Sequence, residues 1–212
     1  MASDIEAMFP GLADEPYEAR GIIHSEMALI MATCRRLGVR NVIESGRARG
    51  QSTYIMAKYM PDVHVYSIEA RDGEDIRFGR ERLAGMPNVT LLTGDGALCV
   101  EELASSAVLR TAVLLDGPKG AAAVAILQEC FLLPDIVVGF IHDMRRLDHG
   151  GPSPHRAAAE AAFPWRMYSD HPVLVERYAF LDAKVIEAGG PVGPEHEKQF
   201  GSYGPTVGIF LP

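Results

Sequence analysis

Between Asn41 and His142 the sequence alternates, with little slack, between short β-rich runs and helix-length segments. The runs are Asn41–Ser45, Val63–Glu69, Val89–Thr93, Thr111–Asp116 and Ile136–His142; the segments are Ser52–Tyr59, Glu74–Ala84, Ala97–Ala104 and Ala121–Leu132. Strands joined by connections of that length cross over and lie parallel in one sheet. Thr111–Asp116 and Ile136–His142 are almost wholly apolar, as central strands covered on both faces must be. Ahead of the alternation, Ile22, Ile23, Met27, Leu29, Ile30 and Met31 give Gly21–Leu37 a helical apolar face, with Gly38 placed to end it. Residues 1–20 read as a loose acidic lead-in punctuated by Pro10, Gly11 and Pro16. Past Asp143 the regularity fails. Residues 144–155 read as a long polar loop, followed by a helix at Arg156–Ala162 and a strand near Trp165–Ser169. A helical stretch around Leu174–Ala188, a connector at Gly189–Pro194 and a last strand at Thr206–Leu211 complete the chain.

At 212 residues the chain suits one well-buried core. The expected organisation is a single domain over 1–212: a lead-in (1–20), a ligand-binding core (21–143) and a substrate-side part (144–212). A net charge of -8 argues against a broad basic surface for nucleic acid and favours a small-molecule partner. Cys34, Cys99 and Cys130 form no Cys-x-x-Cys pair and sit in apolar stretches, so they read as buried side chains. No basic-then-apolar leader opens the sequence, and no apolar run approaches the ~20 residues that span a bilayer. A cytoplasmic protein without membrane partners is expected. The apolar first helix and the irregular tail are surfaces that a homodimer could use.

The segment NVIESGRARGQST joins a strand, an acid, a glycine-rich turn and a helix start. Ligands of open α/β sheets sit beside such a turn, at the carboxyl ends of the strands. Gly46 and Gly50 allow a tight turn and close backbone approach, and Ser52 or Thr53 is placed to cap the helix. The spacing is not the Gly-x-Gly-x-x-Gly of dinucleotide binding; it is Glu44-x-Gly46-x-Ala48-x-Gly50. An acid here would repel a pyrophosphate but suits an ammonium and a sulfonium. This pattern resembles the first motif of class I S-adenosylmethionine-dependent methyltransferases, with alanine in the middle glycine position. The later strand ends extend the likeness: Glu69 with Ala70, Asp95 with Gly96, Asp116 with Lys119, and His142 with Asp143. The resemblance covers about residues 21–143 and is nearest to small-molecule O-methyltransferases, in the group holding macrocin O-methyltransferase-like and cephalosporin-hydroxylase-like proteins.

The resemblance implies an α/β, Rossmann-like fold: a mostly parallel seven-stranded sheet, helices on both faces and an antiparallel last strand. It implies S-adenosylmethionine held by Glu44, Gly46, Arg47, Ala48, Gly50, Ser52, Thr53, Glu69, Ala70, Asp95, Gly96 and Asp116. Glu69 would accept the ribose hydroxyls, unless Arg71 pairs with it, and Asp95 would take the adenine amino group while capping the next helix. Arg47 or Arg49 would bind the methionine carboxylate. Methyl transfer to a hydroxyl needs alignment and proton removal, for which Asp116, Lys119, His142 and Asp143 are the candidates. The ordinary pKa of His142 lies nearest neutrality and favours it as base, while its place in an apolar strand equally suits a hydrogen-bonded core histidine. Catechol-type relatives hold magnesium with acids matching Asp116 and Asp143, but Met144 stands where they have asparagine, and a thioether is a poor ligand for a hard cation. A divalent metal is therefore an alternative rather than the expectation. The loop carrying Arg145, Arg146 and His149 reads as a lid or a solvated surface, and Phe163, Trp165 and Tyr168 as packing. The acceptor pocket is expected from residues 1–20, 144–155 and 170–205. Competing readings are a nicotinamide-dependent oxidoreductase, a non-catalytic S-adenosylmethionine-binding module and, more remotely, a hydroxylase-like role.

Overall fold

A computed structural model describes residues 2–70 and 73–212 of the protein. In chain order the elements are α1 (Ala2–Met8), α2 (His24–Arg36), β1 (Asn41–Ser45), α3 (Gln51–Tyr59), β2 (His64–Glu69), α4 (Glu74–Leu83), β3 (Val89–Thr93), α5 (Gly96–Ser105), β4 (Thr111–Leu115), α6 (Ala121–Cys130) and β5 (Ile136–Ile141). Then come β6 (Leu147–Asp148), β7 (Gly151–Pro152), α7 (Pro154–Ala162), β8 (Arg166–Tyr168), α8 (Pro172–Tyr178), α9 (Ala183–Glu187), α10 (Pro194–Phe200) and β9 (Gly208–Phe210). Seven strands form one sheet in the order β3-β2-β1-β4-β5-β9-β8. The first five are parallel, and β9 runs antiparallel between β5 and β8. The sheet expected from the sequence is present, including its antiparallel last strand.

Period-two alternation divides the core between the two faces. On β4, Ala112 and Leu114 face α2 and α3 with Met27, Ile30, Ile55 and Val65. Val113 and Leu115 face α5 and α6 with Val100, Leu127 and Ile68. Strand order reverses between β1 and β4, which opens a crevice at their carboxyl ends.

Four regions depart from expectation. The lead-in is not loose: α1 and a 3-10 turn at Leu12–Asp14 put Ile5, Phe9 and Leu12, spaced four and three apart, into the core. The polar loop carries the β6–β7 hairpin. The stretch 174–188 is not one helix but α8, a 3-10 turn at Ala179–Asp182, and α9; the break lets the Asp182 carboxylate accept the Ser25 N–H at 2.9 Å. The supposed connector runs into α10, with Pro194 at its start and left-handed Gly201 closing it. Phe163 and Tyr168 are buried, whereas Trp165 is half-exposed. Cys34 and Cys130 are buried and Cys99 partly so. Among the described residues, no helix is long and apolar enough to cross a membrane.

Candidate active site

The turn after β1 is built by backbone conformations that few residues tolerate. Gly46 has φ 101°, and a Cβ there would meet the Asp116 carbonyl carbon at 2.8 Å. Ala48 also adopts positive φ, 43°, a strained conformation for a residue with a Cβ. Its N–H donates to Glu69 Oε2 at 2.9 Å, which fixes the turn to the end of β2.

Behind this turn, Glu44 is fully buried and accepts from the hydroxyls of Ser52, Thr53 and Ser67. Burial raises its pKa, and the three hydroxyl bonds oppose that rise. Ser52 and Thr53 therefore do not cap α3, whose N-cap is Gly50. Arg47 is 2% exposed, and its guanidinium turns inward to donate to the Ser67 and Leu92 carbonyls. Arg49 is held by Glu18 and Asp75. Of the two arginines offered for the methionine carboxylate, Arg49 is thus committed elsewhere, whereas Arg47 keeps Nε and Nη2 buried without a hydrogen-bond partner. Glu44 and Thr53 line neither large cavity, and Arg47 and Ser52 border only a crevice of about 10 Å³.

Two cavities meet at the crevice. The first, about 590 Å³, has Glu69 and Ala70 from the β2 end, Asp95 and Gly96 from the β3 end, Gly46, and a wall of Ala122, Ala125 and Ile126. Its size is that of a small-molecule site. Asp95 caps α5 by accepting the Ala97 and Leu98 N–H groups at 2.9 and 3.1 Å through Oδ1, so the capping role read from the sequence is present. Glu69 accepts from Ala48 and Ala70 N–H; Arg71, its suggested partner, lies outside the described residues.

The second cavity, also about 590 Å³, shares Gly46, Glu69 and Gly117 with the first. It gathers Ala48, Asp116, Lys119, His142 and Asp143, and is closed by Tyr17, Arg20, Gly21, Pro191 and Pro205. Residues 144–155 do not line it. Arg145 pairs with Asp148 at 3.0 Å and Arg146 with Asp170 at 3.0 Å, so this loop is tied down, with His149 at its exposed tip.

Both ring nitrogens of His142 have carboxylate partners. Its Nδ1 lies 2.8 Å from Asp116 Oδ1 and its Nε2 3.2 Å from Glu26 Oε2. Burial disfavours its charge, but Asp116 and Glu26 outweigh burial and push the imidazole up to about 10. Burial likewise opposes charge on Asp116 and Lys119, yet their mutual attraction, with His142 and Asp143 beside them, holds the carboxyl low and the ammonium high. Asp143 holds φ 62° where β5 ends, and Lys119 Nζ sits 2.7 Å from its Oδ2.

Glu26 was missed in the sequence. It is 1% exposed on α2 and also accepts from Ser169 Oγ at 3.1 Å and Thr206 N–H at 2.7 Å. The available signal was an acid three and four residues past Ile23 and Ile22, inside the apolar stripe.

No protein-family model matches the chain. No curated protein matches it by sequence. Solved structures do match in three dimensions. The O-methyltransferase from Bacillus cereus, in complex with SAH, aligns with a TM-score of 0.62 at 15% identity over 99% of this chain and 91% of that one. The O-methyltransferase TomG from Streptomyces achromogenes, involved in tomaymycin synthesis and solved with SAM, aligns at 0.54 and 16% identity over 99% and 87%. Across nearly its whole length, the chain has the fold of these O-methyltransferases.

Proposed function

We propose that residues 1–212 form a single S-adenosylmethionine-dependent methyltransferase domain that methylates an oxygen of a small molecule in the cytoplasm. The observation that carries this reading is the placement of Glu69 and Asp95 around one cavity, directly continuous with the charged cluster Asp116, Lys119, His142 and Asp143. The shared fold, and the SAH and SAM held by the structures that share it, support the same reading.

The residues fit that cofactor. Glu69 retains lone pairs for ribose hydroxyls beyond its two backbone bonds, Asp95 keeps a second oxygen for an adenine amino group, and Ala122, Ala125 and Ile126 offer a purine an apolar wall. The bound cofactor would supply a methyl group already activated on a sulfonium. The chain's part is to align the acceptor, exclude water and manage the acceptor's proton. Lys119 Nζ places a positive charge in the wall of the second cavity and lowers the pKa of a hydroxyl brought beside it. Asp143 accepts the proton, and His142 keeps Asp116 in position. With the carboxyls held low and the lysine high, no strong neutral base faces the cavity, so an acidic hydroxyl such as a phenol suits the site better than an aliphatic alcohol.

Calorimetric titration tests the reading. S-adenosylhomocysteine should bind the wild type, NAD should not, and Glu69→Ala should weaken the homocysteine analogue about 10- to 100-fold, the worth of one or two charge-assisted hydrogen bonds. Absence of binding by folded protein would sink the methyltransferase reading, and binding of NAD instead would favour an oxidoreductase. Analogue binding without turnover across a panel of phenols would leave a cofactor-binding module.

A further inference from the structure

Asp116, His142 and Asp143 each present one ligand atom within 4.8 Å of the others, a spacing at which a divalent cation could be held. With Lys119 on both carboxylates, the donor set does not fit one. Both nitrogens of His142 are engaged, with Asp116 at 2.8 Å and Glu26 at 3.2 Å. Met144, next along the chain, is 1% exposed and packs in the core, so it adds no oxygen ligand. The space between the two carboxylates is also filled. Lys119 Nζ touches Asp116 and lies 2.7 Å from Asp143 Oδ2, held there by a turn of only two residues, Gly117 and Pro118.

We propose that the Lys119 ammonium takes the place of a divalent cation, so that this site binds no metal and lysine itself supplies the positive charge that faces the acceptor. An ammonium is a compact charge with three donors: two can serve Asp116 and Asp143, and the third is left for an acceptor oxygen. A divalent ion entering the same space would meet that ammonium at contact distance and lose both carboxylates to it. The mobile ion of a metal site is replaced by one tethered three residues from its first counter-ion.

Manganese serves as the probe, because its unpaired electrons broaden nearby nuclear resonances. The wild type should show no saturable manganese binding below about 1 mM, the weak end of oxygen-ligand cation sites, and no selective broadening of the His142 ring signals. Lys119→Met keeps most of the length of the side chain but removes its ammonium, and should create a saturable site that broadens those signals. Adding Asp143→Asn to that variant should abolish it. Saturable binding to the wild type with broadening at His142 would overturn the proposal, as would failure of folded Lys119→Met to bind manganese. The cofactor reading fails separately, by absence of homocysteine-analogue binding, so the two cannot be confused.

Discussion

Asp182 shows how one side chain can charge the fold for its position. It is fully buried, and burial pushes its carboxyl up to about 7, against about 3.9 in an unfolded chain. Between those values the folded state binds more proton than the unfolded one, so stability falls as pH rises from about 4 to about 7 and is level above. The ceiling on that loss is about 4 kcal/mol. Asp182→Asn retains an oxygen for the Ser25 N–H and should gain stability on the wild type between about pH 5 and about pH 8. Urea unfolding at the two pH values reads this directly; equal differences at both would sink the assignment. His142 runs the other way. Its folded pKa lies above the ordinary 6.5, so its stabilising contribution is complete below about 6.5 and is lost as pH rises through about 10. At neutral pH, then, Asp182 is nearly at its full cost while the His142 cluster is intact.

At the scale of elements, the segment after β5 is secured by one buried carboxylate. Asp170, just past β8, accepts from Arg146 at 3.0 Å, Arg156 at 2.7 Å and Ser202 Oγ at 2.9 Å. Arg146 is half-exposed and Arg156 mostly buried, so removal of the carboxylate costs less than a fully buried pair would. Asp170→Ala should lower stability by about 2–3 kcal/mol and increase hydrogen exchange across 145–153, while exchange in β1 and β4 stays as it was. Unchanged exchange in that segment would show that other contacts hold it.

The sequence revealed elements where periodicity was strong. The five parallel strands and the helices between them were visible because burial on both faces of the sheet leaves apolar runs, and because the ligand crevice places acids at strand ends. It was silent where burial is sparse or shared. Helix α10 buries no side chain, so it has no apolar stripe to reveal it, although Pro194 and Gly201 marked its ends. Helix α1 completes a core supplied mainly by other segments. In the site, Glu69, Asp95, Asp116, Lys119 and Asp143 were legible as strand-end residues. The inward turn of Arg47, the hydroxyl cage around Glu44 and the Glu26 partner of His142 were not, because each depends on partners distant in sequence.

The whole molecule is joined at Glu26, whose carboxylate meets His142 from β5, Ser169 beside β8 and Thr206 before β9. Glu26→Ala would leave a buried imidazole and a buried N–H without their acceptor, at a cost of about 3–5 kcal/mol. Glu26→Gln, which keeps an acceptor oxygen, should recover part of it; comparison of the two melting temperatures checks the claim. The bond to Thr206 links positions 180 residues apart, and β9 threads between two strands that precede it in the chain. On a ribosome, α2 through β5 can emerge and collapse while Glu26 still lacks that partner and a slot stays open beside β5. The charged cluster beside β5 is therefore among the last parts of the molecule to mature, and a nascent chain stalled before residue 206 would carry a nearly finished sheet with that cluster unfinished.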